Sequence, residues 1–455
     1  MTVRLIDAMA TTAPLARLFS DEPVLKAMLD FEVALARAEA RLKIIPQSAA
    51  DAIASAAHAD RFDTAALADA TLRAGTPGIP LVKALTEQVR IVSPEAAAYV
   101  HWGATSQDVA DTALILLLRQ SQPILNSDLG KLETALERMA EDHRHTVMLG
   151  RTLLQAAPPV TFGLKAAGWV AAIRRGHAHL DASFANALLL QFGGAAGTLA
   201  GLGDQGVAVA QELARELGLI CPEAPWHTHR DRLAVLICSC GVLTGTLGKM
   251  ARDLSLLMQN EVGEAAEASG EGRGGSSTMP HKRNPIGCAV TIAAANRTPG
   301  QVSSFLSGML QEHERGLGGW QAEWATVSTL IQAAGLAAAS MAEVAEGLTI
   351  NKDRMQENIA ATNGVIFAER AMMVLGKAMG RDVAHRLLEE ATRQSLVRKR
   401  SLTEILSEMP DVTRHLDAVA ISELNKPEQY LGSADLFVGR LLSREQPPKP
   451  KKERE

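Results

Sequence analysis

The chain has 455 residues, of which 47% are apolar and only 4% aromatic, with Ala and Leu dominating. That length allows two to four domains, and the shortage of aromatic residues favours helices packed closely on small side chains over sheets. A formal net charge of −5 argues against nucleic acid as a general partner. Cys221, Cys238, Cys240 and Cys288 lack zinc-like spacing, so the thiols read as buried and reduced, and neither metal nor cofactor is expected.

Val24, Leu25, Met28, Leu29, Phe31, Leu35 and Leu42 recur at helical spacing with charges between them, which predicts an amphipathic helix over 21–42 that ends at Pro46. Shorter helices reach to about residue 90, interrupted at Gly75-Thr76-Pro77-Gly78-Ile79-Pro80. A polar segment, His101 to Asp108, follows. Thr105 and Asp108 have capping-box spacing, so a long helix is expected to start there and run through Leu114–Leu118. Further long segments with few breakers cover 125–147, 159–191, 205–217, 230–262, 285–312 and 322–347. Two of these, 233–248 and 325–345, are apolar almost all round, which predicts helices covered on every side, some of them by other subunits. The run from Leu233 to Gly248 is shorter than the ~20 residues of a membrane span, and no signal-peptide core opens the chain, so a soluble cytoplasmic protein with no membrane partner is expected.

Helices are expected again at 352–360, 366–378, 381–396 and 402–407, before a Pro-rich charged tail. The division predicted is an N-terminal mixed helical domain at 1–110, a central long-helix bundle at 111–345, a C-terminal helical domain at 346–445 and a disordered tail at 446–455. The fold class is all-α.

Three polar segments interrupt the helices: 101–108, 150–159 and 272–285. The third, from Gly274 to Pro285, packs two glycines, two serines, a threonine, two prolines, His281, Lys282, Arg283 and an asparagine into twelve residues. Hydroxyls and cations on a glycine-rich loop suit an anionic substrate held beside a proton-transfer group. By itself each segment also has a plainer reading: a capped helix start, a loop closed by Pro158-Pro159, and a surface loop.

Together the segments resemble, in order, the three shared regions of the fumarase/aspartase superfamily, and the run Gly275-Ser-Ser-Thr-Met-Pro-His-Lys-Arg-Asn-Pro285 is similar to its signature. The resemblance covers roughly residues 1–440. It implies three mainly helical domains and a homotetramer around a shared bundle of about twenty helices, with each active site drawn from three subunits. It also implies that Ser276 transfers a proton at carbon, with His281 in reserve. Lys282 and Asn284 would hold substrate carboxylates, and Thr105, Ser106 and Gln107 would donate to another. Arg151 and Thr152, in the second shared region, would also bind substrate. His101 would contact substrate or else support the helix start. Arg315 would bind a carboxylate or else pair with a neighbouring glutamate.

Leu153 departs from the superfamily pattern, in which Gly-Arg-Thr is followed by a histidine serving as general acid for the leaving group. Leucine cannot transfer a proton. An amine or hydroxide leaving group needs one, whereas a carboxylate, with a pKa of about 4, does not. The loss therefore points to lactone chemistry. The stretches Gln191–Gly206 and Gln311–Trp324 also resemble the bacterial carboxymuconate cycloisomerase branch. That branch implies interconversion of 3-carboxy-cis,cis-muconate and 4-carboxymuconolactone in aromatic-acid breakdown. Tryptophan at 153 and glutamine at 229 would be usual there, so a bulkier substituent such as sulfonate stays open. The alternatives are an adenylosuccinate-type lyase and an inactive tetrameric scaffold. Among other histidines, His227 and His229 offer weak grounds for a metal, and His143 and His145 are expected to be solvated on a helix.

Overall fold

The computed structural model describes residues 4–268, 274–275, 279 and 282–443. Ser276 and His281 lie outside the described residues.

The chain opens with α1 (Ala13–Leu18), α2 (Asp21–Arg41), α3 (Gln47–Ala56), α4 (Thr64–Ala74) and α5 (Gly78–Val92). Then come α6 (Ser106–Asp142), strands β1 (Val147–Thr152) and β2 (Gln155–Thr161), α7 (Phe162–Ala187), α8 (Gly206–Leu217) and α9 (Asp231–Leu257). Strand β3 (Ala265–Ala266), α10 (Ile286–Ser307), α11 (Gly319–Gly347) and β4 (Thr349–Ile350) follow. The last helices are α12 (Lys352–Ala360), α13 (Ala368–Met379), α14 (Arg381–Arg398), α15 (Leu402–Ser407) and three short ones, α16 (Pro410–Thr413), α17 (Ala418–Glu423) and α18 (Ala434–Leu442). The chain is all-α, with two small antiparallel pairs, β1–β2 and β3–β4, among the described residues.

The fold divides into two compact units. One takes residues up to Gly130, Arg175–Lys249 and Val290–Met341; the other takes Lys131–Arg174, Met250–Ala289 and Ala342 onward. All five dividing points fall inside the long helices α6, α7, α9, α10 and α11.

In the first unit α2 buries Leu25, Met28, Leu29, Phe31 and Leu35, each worth about 1.5–3 kcal/mol in water-to-core transfer, and it packs on α3 and α8. Helix α6 is a single helix of 37 residues where the sequence suggested a break, because it continues through Pro123. Pro removes one backbone hydrogen bond and crowds the preceding turn. Leu125, Leu129, Leu132 and Leu136, fully buried at spacings of three and four, offset that cost. Close approach of α9 and α10 depends on Gly248, where a Cβ would stand 2.5 Å from the Cβ of Ala295. Helix α11 is buried at Leu330, Ile331 and 333–338 but exposed at Ala325, Thr329 and Glu343, so in the single chain it too has an open side. Helix α9 is not covered on every side in the single chain: Val235 and Val242 are exposed.

Two sequence expectations are corrected. At 27 residues α9 exceeds the span-length limit set by its 233–248 run, and both α9 and α11 are long and apolar enough to cross a membrane; 56% and 61% of their most apolar stretches are nonetheless buried within the chain. His143 is not solvated on a helix. Helix α6 ends at Asp142, and His143 sits half-buried, edge-on to Phe162 at 5.4 Å with Nδ1 3.1 Å from Thr146 Oγ1. Burial, and secondarily Lys352, pulls its pKa down.

In the second unit α13, α14 and α15 close a separate core of Leu375, Leu388, Leu402, Ile405 and Leu406. The expected loop at 150–159 is a hairpin there. Thr152 pairs with Gln155, with a bulge between Met148 and Gly150. A two-stranded ribbon tolerates Pro158 and Pro159 because its outer edge needs no N–H donor.

Candidate active site

Helix α6 begins at Ser106, and its first turn is organised by one fully buried carboxylate. Asp108 Oδ2 accepts from the backbone N–H of Thr105 at 3.0 Å, which is the backbone half of the capping box. The same carboxylate accepts from Gly193 N–H at 3.0 Å and Gly194 N–H at 2.9 Å, and Oδ1 lies 2.7 Å from His227 Nε2. Asp108 therefore ties two separate segments, Gly193-Gly194 and His227, to the start of α6. His227 is spent on this contact, while His229 is exposed.

One turn further, Asp111 takes a bidentate pair from Arg230 at 2.8 and 3.0 Å, a bond from Trp320 Nε1 at 2.9 Å and one from Gln107 Nε2 at 3.1 Å. Arg230, 1% exposed, also faces Glu323 with Nε at 3.0–3.1 Å and Nη2 at 2.5 Å, and its guanidinium lies over the Trp226 ring at 4.6 Å. Burial alone would lower the Arg230 pKa; Asp111 and Glu323 more than reverse it. Burial, reinforced by Asp111, holds the Glu323 carboxyl above its usual range despite Arg230.

Arg315 stands on the rim of this network. Its Nη1 donates to Thr105 Oγ1 at 2.6 Å and its Nε to Gln107 Oε1 at 3.4 Å. Neither Glu312 nor Glu314 pairs with it: among the described residues no carboxylate lies within ion-pair distance. The ion pair with a neighbouring glutamate, weighed from sequence, is not formed among the described residues. Gln107 spends both amide hydrogens internally, on Asp111 and on the His227 carbonyl at 2.9 Å. The first backbone N–H groups of α6, at Ser106 and Gln107, have no acceptor within their own helix, as geometry dictates, and leave an anion-binding end beside Arg315. His101 belongs to the same unit, with Nδ1 2.7 Å from Glu32 Oε1.

The remaining expected residues lie in the second unit. Arg151 makes a bidentate pair with buried Glu264 at 2.7 and 2.9 Å, and Asn358 Nδ2 donates to the same carboxylate at 2.7 Å. Thr152 is exposed at the end of β1. Leu153 and Leu154 form the two-residue turn with φ of 49° and 65°, and are 97% and 76% exposed. Two consecutive left-handed residues normally call for Asn-Gly, so an apolar pair here is strained as well as exposed. Lys282 is exposed and Asn284 half-buried; the Asn284 N–H donates to the Gly274 carbonyl at 2.9 Å, closing the base of the 274–285 segment. On the far side Glu267 accepts from Gly287 and Cys288 N–H at 3.0 and 2.9 Å, capping α10.

Sequence reading did not single out Glu32, Asp108 as an organiser, Asp111, Arg230, Glu264 or Glu323. The available signal was a charged residue inside an apolar helical stripe, as with Glu32 beside Phe31 and Leu35.

A helix start with free backbone donors, beside an arginine that meets no carboxylate among the described residues, on an all-helical scaffold, has the character of a lyase-type site for carboxylate substrates. The lyase family model matches residues 8–300 and the adenylosuccinate lyase C-terminus model matches 364–441. The chain belongs to this lyase family, the fumarase/aspartase superfamily, and is an enzyme of it. It is 46% identical over 96% of its length, and 97% of the relative's, to the 3-carboxy-cis,cis-muconate cycloisomerase of Bradyrhizobium diazoefficiens. It is 42% identical over 96% of its length, and 94% of the relative's, to the nitrosuccinate lyase of Streptomyces davaonensis. The crystal structure of the 3-carboxy-cis,cis-muconate lactonizing enzyme from Pseudomonas putida superposes with a TM-score of 0.92 at 45% identity, covering 97% of this chain and 98% of that one.

Proposed function

We propose that the chain interconverts 3-carboxy-cis,cis-muconate and 4-carboxymuconolactone without metal or cofactor. One substrate carboxylate adds across the conjugated double bond, forming a C–O bond, while a proton is delivered to the adjacent carbon; all atoms of the substrate are retained. The observation that carries this reading is Leu153, an aliphatic side chain where a leaving-group acid would stand, at the tip of the β1–β2 hairpin. In the ring-opening direction the leaving group is a carboxylate, already stable near neutral pH, so an acid adds little. The cycloisomerase relatives, 44–47% identical over more than nine-tenths of the chain, support the same substrate class.

In this reading Ser276 moves the proton at carbon, with His281 as its substitute. Lys282 and Asn284 hold one carboxylate. Thr105, Ser106, Gln107, His101 and Arg315 receive another, Arg315 supplying charge that no carboxylate among the described residues neutralises. Gln107 acts through its backbone N–H and by seating Arg315, because its amide hydrogens are occupied. Arg151 fixes the hairpin through Glu264, and Thr152 contacts substrate. The enzyme works in the cytoplasm as a homotetramer. An apolar groove of about 660 Å³ between α9 and α10, lined by Cys238, Val242, Val302 and Leu306, and the bare Leu153-Leu154 tip support burial against further copies of the chain.

Ultraviolet assays with 3-carboxymuconate, 3-sulfomuconate, nitrosuccinate and adenylosuccinate in parallel test the reading. Turnover of 3-carboxymuconate is expected; turnover of adenylosuccinate alone would sink it. Leu153→His is expected to change muconate turnover by less than about tenfold, below the roughly 10²- to 10⁴-fold that general acid catalysis brings, and a hundredfold gain would refute the leaving-group argument. Near-normal turnover by Ser276→Ala would move the proton-transfer role to His281.

A further inference from the structure

Helix α2 carries two carboxylates inside the first unit, Glu32 at 1% and Glu39 at 0% exposure. They are seven residues apart and so share one helix face. Among the described residues neither oxygen of Glu39 has a hydrogen-bond partner, and Glu32 Oε2 has none. The single polar contact to this acidic face among the described residues is His101 Nδ1 on Glu32 Oε1, at 2.7 Å. His101 reaches it from a turn held in the left-handed region, φ 61°. That conformation is unfavourable for a non-glycine residue and persists only where its surroundings hold it. Gly103 secures the same turn at φ 71°, where a Cβ would stand 2.6 Å from Leu202.

Building a strained turn to bring an imidazole onto a buried carboxylate fixes both ring orientation and protonation. With Nδ1–H on Glu32, Nε2 has no protein partner among the described residues, and the side chain keeps 16% of its surface open. Four residues on lies Thr105, the hydroxyl to which Arg315 is bonded. We propose that Glu32 is a positioning residue for catalysis, which holds His101 as a cation whose Nε2–H donates to a substrate carboxylate at the start of α6. This deepens the proposed function and rests on it for the identity of the carboxylate.

The charged groups facing His101 agree with this role. Burial opposes the imidazolium, but Glu32 from α2 and Asp108 from α6 outweigh it and raise the His101 pKa. Asp108 is itself shared with His227, and Arg315 is the cation bonded to neighbouring Thr105. Glu39 is pushed up to about 9, first by burial and then by Glu32, so it is neutral near pH 7 and leaves the ion pair to Glu32. Because the folded-state pKa of His101 is raised, the cation persists above the ordinary histidine range and is lost only as pH climbs through the raised value.

The test compares wild type with Glu32→Gln, Glu32→Asp and His101→Gln in the full-length protein. Carbethoxylation of His101, followed by mass spectrometry against pH, reads its protonation without any substrate. In Glu32→Gln the labelling midpoint is expected to fall by at least one pH unit, with Glu32→Asp between it and wild type. With 3-carboxymuconate, Glu32→Gln is expected to raise KM tenfold or more while kcat changes less than threefold, and to shift the alkaline fall of kcat/KM to lower pH. Adding Glu32→Gln to His101→Gln should change KM less than twofold. An unmoved labelling midpoint overturns the proposal, as does a Glu32→Gln loss that persists in full in the His101→Gln background. If the midpoint moves but muconate is not turned over, the pairing stands and the substrate assignment falls. Should Glu32→Gln fail to fold, the wild-type labelling midpoint decides: a value at or below the ordinary 6.5 contradicts the proposal.

Discussion

Two arginines lie within the same compact unit, and the structure treats them in opposite ways. Arg230 is buried, and its donors meet two carboxylates, Asp111 and Glu323, which are completed by Trp320, Gln107 and Gln311. Arg315 is half-buried at the rim and meets a hydroxyl and an amide oxygen. Around Arg230 the charge is over-matched, so nothing is left for a ligand. Around Arg315 the geometry is fixed by neutral partners and the charge is kept in hand. A cation held in place without being neutralised is what recognition of a carboxylate requires. The two regions share Gln107, whose amide donates to Asp111 and whose carbonyl receives Arg315, so the buried network also sets the position of the rim.

The comparison can be broken at its strongest point first. Replacing Arg230 by Met leaves Asp111 and Glu323 buried without a cation, and removal of one partner from a buried ion pair costs about 3–5 kcal/mol. A large drop in the denaturant midpoint is expected; unchanged stability would mean the network is not structural. Arg315→Met should do the reverse. Loss of one charged hydrogen-bonding partner, about 1.5–3 kcal/mol, corresponds to roughly a 10- to 150-fold fall in kcat/KM. Its denaturation midpoint should stay with wild type, and a shared loss of stability would erase the distinction between the two arginines. Thr105→Val, which removes only the hydroxyl that seats Arg315, should lower kcat/KM by about three- to tenfold, in line with a neutral hydrogen bond of 0.5–1.5 kcal/mol. An effect as large as that of Arg315→Met would make Thr105 a direct substrate donor.

Much of this arrangement was legible in the residues themselves. The period of 21–42, the helix start at Thr105 with Asp108 behind it, and the small-residue helices near 233–248 and 325–345 follow from local pattern, and local pattern is what sequence displays. The signature loop and the absent histidine at 153 are equally plain in the sequence, and the proposed chemistry rests on them. Hidden were the partners that lie far apart in the chain. Arg230 and Asp111 are separated by 119 residues, Arg230 and Glu323 by 93, and His101 and Glu32 by 69. No spacing rule reaches such distances. The β1–β2 hairpin was hidden for a different reason: Pro158 and Pro159 speak against a strand, and Leu153-Leu154 carries none of the usual turn chemistry. Helix α6 likewise concealed its continuity, because Pro123 reads as a break until buried leucines on both sides are seen to hold the helix together.

The central claim, lactone formation with a proton delivered to carbon and no leaving-group acid, is tested most directly by proton NMR of 3-carboxymuconate turnover in deuterium oxide. The expected product is 4-carboxymuconolactone carrying one solvent deuteron on the carbon beside the new C–O bond. Unconsumed 3-carboxymuconate, under conditions where the same protein cleaves adenylosuccinate to fumarate, would contradict it.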